Sequence, residues 1–218
     1  MATFASVVSI LSACQKQESV SPISAQGGAA TIGNINKKIP DGQAAAHVQW
    51  AIISLDFPIT TFSPGGVAYA QAISGSTLSN LKIKFTGSGS FVDPASSGGT
   101  SSAVTGGGTW ETFSGDISTG RGTYEVTKLA SWTFANWQIG TFIDLTGNTN
   151  ERANGTAVLV IEYSDGSEGT LGLGCHGPGA PDGIQEGVIA TKGFVTYWTG
   201  EVPLPDIDKN RTIFHVRR

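Results

Sequence analysis

The sequence has few charged residues and only two cysteines. Asp, Glu, Lys and Arg make up 14% of its 218 residues, well below the roughly 25% of an average globular protein. The 13 Lys and Arg form no basic stripe and are outnumbered by 17 Asp and Glu, which argues against nucleic acid as a partner. No apolar run reaches the roughly 18 residues that a membrane-spanning helix needs.

Glycine and aromatic residues are abundant instead. The chain contains 30 Gly, about twice the average usage, together with five Trp, ten Phe and four Tyr. So little charge combined with so many aromatic side chains is not typical of a disordered chain. We therefore expect a folded domain.

The N-terminus contains a short apolar segment, residues 4–11, that leads into Leu11-Ser12-Ala13-Cys14. This segment has the length of a signal-peptide core with small residues at its end. The four residues resemble the lipobox of bacterial lipoproteins. The resemblance implies that residues 1–13 are a signal peptide, that Cys14 is acylated, and that the protein is anchored to a membrane of the bacterial cell envelope. The alternative is a buried apolar helix with an ordinary cysteine.

Residues 14–43 are rich in Ser, Gln, Ala and Gly and have little hydrophobic pattern, which is typical of a flexible tether. If Cys14 carries a lipid, Cys175 has no partner in the chain for a disulfide bond. Cys175 continues the apolar side of a predicted strand, so we interpret it as a small buried hydrophobic residue.

Residues 44–218 follow a period of two, which predicts a single β domain. Residues 81–85 alternate apolar side chains with lysine, as in a strand with one face in water. Residues 156–163 are apolar on both faces and predict a central, covered strand. Residues 188–198 and 212–216 are predicted to be the last two strands.

Turn residues recur at a regular spacing along this domain. A Gly-Thr pair followed by an apolar residue occurs five times, at Gly108, Gly122, Gly140, Gly155 and Gly169. Asp165-Gly166 is a strong hairpin signal. Two glycine-rich loops, residues 93–108 and 174–183, interrupt the pattern. We expect an all-β, antiparallel meander that closes into a small β-barrel; the alternative is a two-sheet β-sandwich.

The weak catalytic candidates are one histidine and three carboxylates: His176, Glu162, Glu186 and Asp182. A histidine oriented by a carboxylate can act as a general acid or base, and His176 opens a tight Gly/Pro loop close in sequence to Asp182 and Glu186. Glu162 interrupts an apolar strand, where burial would raise its pKa. Each of these residues also has an ordinary interpretation, as a loop or solvated side chain.

Trp132 and Trp137 flank a predicted strand end and are the tryptophans that we expect to be exposed and able to stack on a ligand. No metal or cofactor is expected. His47 and His215 could meet only if the first and last strands pair. Residues 206–210 begin like a calcium loop but lack its glycine and its final glutamate.

Residues 154–216 resemble a C-terminal block of bacterial proteins of unknown activity, which implies no function. The quoted motifs are Tyr163-Ser164-Asp165-Gly166-Ser167, Gly174-Cys175-His176, Gln185-Glu186-Gly187, Thr191-Lys192-Gly193-Phe194 and Arg211-Thr212-Ile213-Phe214-His215-Val216.

Three functions remain open. The first is non-catalytic binding of a small apolar molecule or a glycan by a lipid-anchored envelope protein. The second is a small-barrel enzyme of the cyclase or isomerase kind that uses Glu162, His176 or Glu186, which requires at least two of them to converge in a concave site. The third is a docking module for another envelope protein, which requires a long unpaired strand edge.

Overall fold

The computed structural model describes residues 45–56, 59–94, 100–199 and 210–218. The predicted signal peptide, Cys14 and the whole predicted tether, residues 14–43, lie outside these residues. The described part of the chain consists of strands, loops and one short 3₁₀ helix, with no α-helix, so the all-β prediction is confirmed. Within these ranges, no helix combines the length and the apolar character that a membrane crossing requires.

The strands are numbered in chain order, with the 3₁₀ helix Thr149–Glu151 between β8 and β9. They are β1 Ala46–Asp56, β2 Thr61–Pro64, β3 Ala68–Ser74, β4 Thr77–Phe85, β5 Ser88–Asp93, β6 Val104–Ser114, β7 Ile117–Trp137, β8 Ile143–Asp144, β9 Arg152–Tyr163, β10 Glu168–Cys175, β11 Gly187–Lys192, β12 Val195–Thr199 and β13 Arg211–Arg217.

The strands form one hydrogen-bonded sheet that closes on itself. The order β3, β4, β6, β7, β9, β10, β11, β12 returns to β3 and makes a ring. From β9 a branch continues through β13, β1, β2 and β8, and β5 bridges β1 and β6. Consecutive strands pair from β9 to β12, as in a meander, whereas β4 lies beside β6 and β12 beside β3. Among the described strands, the short β2–β8 pair is parallel and the other pairs are antiparallel.

The predicted hairpin at Asp165-Gly166 is confirmed between β9 and β10. Gly166 has a φ of +81°, the left-handed conformation that glycine adopts without strain. Asp165 Oδ1 accepts hydrogen bonds from the N–H and hydroxyl of Ser167, and Lys192 Nζ lies 2.5 Å from Asp165 Oδ2. The hydrogen bonds from Lys192 and Ser167 lower the pKa of Asp165 to about 2. Asp165 therefore stabilises the turn through these bonds.

Two predicted boundaries are wrong. The strand predicted at residues 188–198 is two strands, β11 and β12, because Gly193 turns the chain with a φ of +56°. The glycine-rich loop predicted at residues 93–108 contains the first half of β6. Glycine is needed there because β6 and β7 approach each other closely: a Cβ on Gly107 would lie 2.1 Å from the carbonyl oxygen of Tyr124. A glycine run that resembles a loop in the sequence therefore forms a tightly packed strand.

The interior of the sheet is filled with side chains. The small residues Ala68, Ala70 and Ala72 of β3 are buried and belong to this interior. Aromatic residues opposite them fill the remaining space: Trp50, Phe85, Phe91, Trp110, Tyr124, Trp132, Tyr163, Tyr197 and Phe214. The main core is therefore a packed interior, of the kind that leaves little room for a ligand.

A second, smaller core covers the outer face of β1 and β13. It consists of Ile53, Phe62 and Ile213, with three half-buried residues packed against them: Ala51, Leu55 and Phe142. Strand β2 and the segment after β7 supply Phe62 and Phe142, whose ring centroids lie 5.5 Å apart. This second core forms one wall of the site described next.

Candidate functional site

A cleft of about 200 Å³ lies between the second core and the segment that follows β10. Its apolar lining consists of Ile53, Leu55, Phe62, Phe142, Cys175, Pro178 and Ile213, with Gly177 at its edge. Its polar lining consists of Thr60, Gln138, His176, Glu186, Arg211 and Thr212. An apolar wall with a few polar groups at one end is typical of a small-molecule site.

A second groove of about 170 Å³ lies on the outer face of β9, β10 and β11. Glycine, aliphatic residues and the polar residues Thr156 and Gln185 line it, and its lining includes no charged side chain. The first cleft is the better candidate because charged and apolar groups converge there.

Arg152 packs against Phe62 and Phe142, the two rings of the aromatic wall of the cleft. This side chain is 2% exposed, and its guanidinium lies 5.4 Å from the ring centroid of Phe62 and 5.0 Å from that of Phe142. Arg152 Nε donates to the carbonyl of Thr149 and Nη2 to that of Gly140. Burial lowers the pKa of Arg152, although Asp144 and Cys175 oppose this effect. The cation and its carbonyl partners fix both rings in place.

A buried Asp–His pair fixes the segment that carries Phe142. Asp144 Oδ2 lies 2.9 Å from Nε2 of His215 on β13, and Oδ1 accepts hydrogen bonds from the N–H and hydroxyl of Thr146. Burial raises the pKa of Asp144, but the hydrogen bonds from Thr146 and His215 outweigh it and leave the pKa below its ordinary value of 3.8. Gly147 permits this contact, because a Cβ there would lie 2.7 Å from the His215 ring.

The opposite wall is held by Asn154, which is fully buried on β9. Its Oδ1 accepts the N–H of Gly177 at 2.8 Å, and its Nδ2 donates to Asn136 Oδ1 at 2.8 Å and to the carbonyl of Pro178 at 3.4 Å. These bonds tie the Gly/Pro loop to the sheet and place residues 176–178 at the cleft.

Glu186 links the residue that follows β10 to strand β13. The side chain is 6% exposed; Oε1 accepts the N–H of Thr212 at 2.8 Å, and Oε2 accepts the N–H of His176 at 2.5 Å. The Thr212 hydroxyl donates in turn to the carbonyl of Gly174. Since both carboxylate oxygens accept backbone N–H groups, Glu186 positions the backbone of His176 and Thr212.

The ring of His176 is exposed at the edge of the cleft. Its Nδ1 lies 2.9 Å from the carbonyl oxygen of Ile184, which can only accept, so Nδ1 carries the proton. In the neutral ring, Nε2 is then an acceptor. The ring is oriented by a carbonyl rather than by a carboxylate.

The other two predicted carboxylates lie elsewhere. Glu162 is exposed on β9, where it is opposite Glu125 and Glu168 in the sheet register. Asp182 is exposed in the Gly/Pro loop and does not line the cleft. The structure therefore brings together His176 and Glu186 but not Glu162 or Asp182.

Cys175 is buried, as predicted. Its Sγ accepts a hydrogen bond from Gln138 Nε2 at 3.1 Å, and burial, with Glu186 as a second cause, raises the pKa of the thiol well above its usual value. A thiol that resists ionisation is a poor nucleophile.

The expected exposure of Trp132 is wrong. Trp132 is 8% exposed and packs in the main core, with its ring centroid 4.7 Å from that of Phe214. Irregularities in the β7–β9 pairing, one of them between Leu129 and Ser131, shift the alternation along β7. Trp137 is 42% exposed, as expected, and packs against Phe134.

The two histidines of the metal hypothesis do not face each other. His47 pairs with Arg217 in the sheet register and His215 with Gln49; His47 is exposed and His215 is buried. Among the described residues, no three His, Cys, Asp or Glu side chains form a group able to hold a metal ion. Residues 206–209 of the calcium-like segment lie outside the described residues.

Two further residues were missed by the sequence interpretation. Arg211 and Gln138 line the cleft, and the Nε atom of Arg211 and the Oε1 atom of Gln138 are buried with no hydrogen-bond partner among the described residues. Buried polar atoms are nearly always paired, so these two atoms are exceptions to the rule. Neither residue belongs to a sequence motif that could have identified it.

Comparisons of the chain with protein-family models, with curated proteins and with solved structures gave no match.

Proposed function

We propose that this protein binds a small molecule with an apolar body and a polar group in the cleft, without transforming it. The observation that carries the proposal is the cleft itself, where the aromatic rings of Phe62 and Phe142 and the charged residues Glu186 and Arg211 line one concave site. The apolar lining would cover the ligand's apolar body, and the polar lining would pair with its polar group.

The size of the cleft limits the ligand. Its volume of about 200 Å³ lies below the range of about 300–1,000 Å³ that is usual for drug-sized ligands. A dry cavity of about 150 Å³ is sufficient for benzene. The aromatic wall of Phe62 and Phe142 suits a flat body of that size. The ligand is therefore about as large as one substituted ring.

We also infer that the ring of strands is a small β-barrel with a filled interior. Its support is the closed strand order and the continuous aromatic core. Docking through a strand edge has less support, because the last strand in the sheet order, β8, contains only Ile143–Asp144.

Blocking the cleft will test the binding proposal. Thr60→Trp places a large side chain at a residue that lines the cleft, so we expect it to weaken the binding of benzyl alcohol at least tenfold. Thr133→Trp, on an exposed position of β7, is the matched control and should leave binding unchanged. Binding is measured by ligand-observed NMR on the full chain. Benzyl alcohol that binds both variants equally, or binds neither them nor the unsubstituted protein, contradicts the proposal.

We further propose that Cys14 carries a lipid that anchors the protein to the bacterial cell envelope. The support is the Leu11-Ser12-Ala13-Cys14 sequence after an apolar segment. In a bacterial host fed a labelled fatty acid, we expect the unsubstituted chain to carry the label and Cys14→Ser to carry none. Cys175→Ser is the control and should keep the label, and a Cys14→Ser protein that still carries it would exclude the anchor.

A further inference from the structure

The short β2–β8 pair has apolar side chains on both of its faces. Asp144 of β8 lies opposite Phe62 of β2 in the sheet register; Phe62 belongs to the second core and the Asp144 side chain is fully buried. Because successive side chains alternate between faces, Ile143 and Leu145 lie on the outer face, where they are 47% and 63% exposed. Ile59, just before β2, is 67% exposed.

These three exposed side chains are neighbours, and we call them the ribbon face: Ile59, Ile143 and Leu145. The N–H of Ile143 donates to the carbonyl of Thr60, the residue after Ile59, at 3.3 Å, and the N–H of Leu145 donates to the carbonyl of Phe62 at 2.9 Å. A strand pair at the surface usually turns polar side chains to water. An apolar patch in that place marks a contact with another protein or with a membrane.

Two observations favour a membrane over a protein partner. Strand β8 has only two residues, Ile143–Asp144, and so offers few backbone groups for pairing with a strand of another chain. Protein interfaces are enriched in aromatic residues, Met and Arg, whereas the ribbon face is purely aliphatic. Aliphatic side chains are sufficient for contact with the apolar boundary of a bilayer.

The length of the chain before β1 places a bilayer within reach of this face. About 30 residues separate Cys14 from the first described strand, enough to span roughly 100 Å when fully extended. A lipid on Cys14 would therefore let any face of the domain touch the membrane. It would also hold the ribbon face at a high local concentration of lipid, so that a weak contact suffices.

Building on the lipid anchor proposed at Cys14, we propose that the ribbon face lies on the surface of the lipid bilayer. Its three aliphatic side chains enter the boundary between the headgroups and the acyl chains. Thr60 and Phe62, which line the cleft, belong to the same segment as Ile59. The contact therefore brings this wall of the cleft close to the bilayer, where apolar small molecules concentrate.

Quenching by nitroxide-labelled lipid tests this inference. A fluorophore is attached to the cysteine of Ile143→Cys in the acylated full chain, which is reconstituted into phosphatidylcholine vesicles with and without nitroxide on the lipid. Phe194→Cys is the matched control, since Phe194 is 99% exposed at the turn between β11 and β12. We expect the nitroxide to lower the emission at position 143 at least about twofold and at position 194 by less than about a fifth. Acylation occupies Cys14 and Cys175 is buried, so the introduced cysteine takes the label.

The outcomes separate the contact from the anchor. Equal quenching at both positions, stronger quenching at 194, or none at 143 overturns the inference, while a protein that still floats with the vesicles keeps its anchor. If a disulfide then joins two chains through position 143, a second copy covers the ribbon face instead. A protein that does not float with the vesicles, and whose Cys14 takes the label, overturns the anchor and this inference with it.

Removing the neighbouring side chains shows whether the quenching comes from the ribbon face. In the Ile143→Cys chain, Ile59→Ser together with Leu145→Ser should reduce the quenching by at least about half, because less apolar area enters the bilayer. Leu78→Ser together with Ile117→Ser is the matched control, since these residues are 50% and 73% exposed on other strands, and should leave the quenching unchanged. Quenching that survives the first pair of substitutions excludes the ribbon face as its source.

Discussion

Replacing Asn154 with alanine will lower the free energy of unfolding by about 3 kcal/mol, because the variant leaves the half-buried Gly177 N–H without its acceptor and removes two donated hydrogen bonds. Because Asn154 is fully buried, water cannot easily take over the hydrogen bonds that its side chain makes. Since Gly177 and Pro178 form one edge of the cleft, we also expect weaker binding of benzyl alcohol. Urea denaturation at pH 7 measures the first effect and NMR titration the second.

Two further variants make this test specific. Asn150→Ala, at an exposed position in the 3₁₀ helix, should change the free energy of unfolding by less than about 0.5 kcal/mol. Asn154→Asp retains the acceptor for Gly177 but places a buried carboxylate against the acceptor oxygens of Asn136 and Pro178, so at pH 7 it should be no more stable than Asn154→Ala. If Asn154→Ala proves as stable as Asn150→Ala, the Gly/Pro loop does not depend on this anchor.

The all-β class was predictable because the alternation of residues 81–85 and the turn residues Asp165-Gly166 are local signals. Local signals fail where the sheet is irregular. The pairing of β7 with β9 shifts at several points, so a strict period of two assigns Trp132 to the wrong face. The glycines at the start of β6 resemble a loop because the local sequence does not show which strands will lie beside them. Those neighbouring strands leave no room for a larger side chain.

The cleft was predictable only in part. His176 and Glu186 were identified because they flank an unusual Gly/Pro loop, and they do lie in one concave site. Their roles could not be read from the sequence, since the partner of the His176 ring is a carbonyl group and the partners of Glu186 are backbone N–H groups.

Gln138 and Arg211 were missed for a different reason. They come from segments more than 70 residues apart in the chain, and what distinguishes them is the absence of a partner among the described residues. A missing hydrogen bond depends on the arrangement of several strands, and no residue pattern encodes it. Open polar atoms of this kind become visible only once the fold is known.

Acid will remove a stabilising contribution that depends on Asp144. The pKa of this carboxyl group is lowered in the folded protein below its ordinary value of 3.8. The unfolded chain therefore takes up the proton first as the pH falls, and the contribution is present above about pH 4 and is lost as the pH falls through the folded-state pKa. At pH 7, Asp144→Ala should lower the free energy of unfolding by about 3 kcal/mol, because it leaves His215 buried without its partner.

Asp144→Asn separates the charge from the hydrogen bonds. It keeps a side chain of the same shape, so we expect a smaller loss of stability at pH 7 than in Asp144→Ala, and a stability that converges on that of the unsubstituted protein as the pH falls below about 4. Asp182→Asn, at an exposed loop position, is the control and should show no such convergence. The measurement is a series of urea denaturation curves between pH 7 and pH 2.5. A difference between the Asp144→Asn and unsubstituted proteins that stays constant over this range would show that the Asp144 charge does not stabilise the fold, and that its hydrogen bonds alone hold the Phe142 segment against β13.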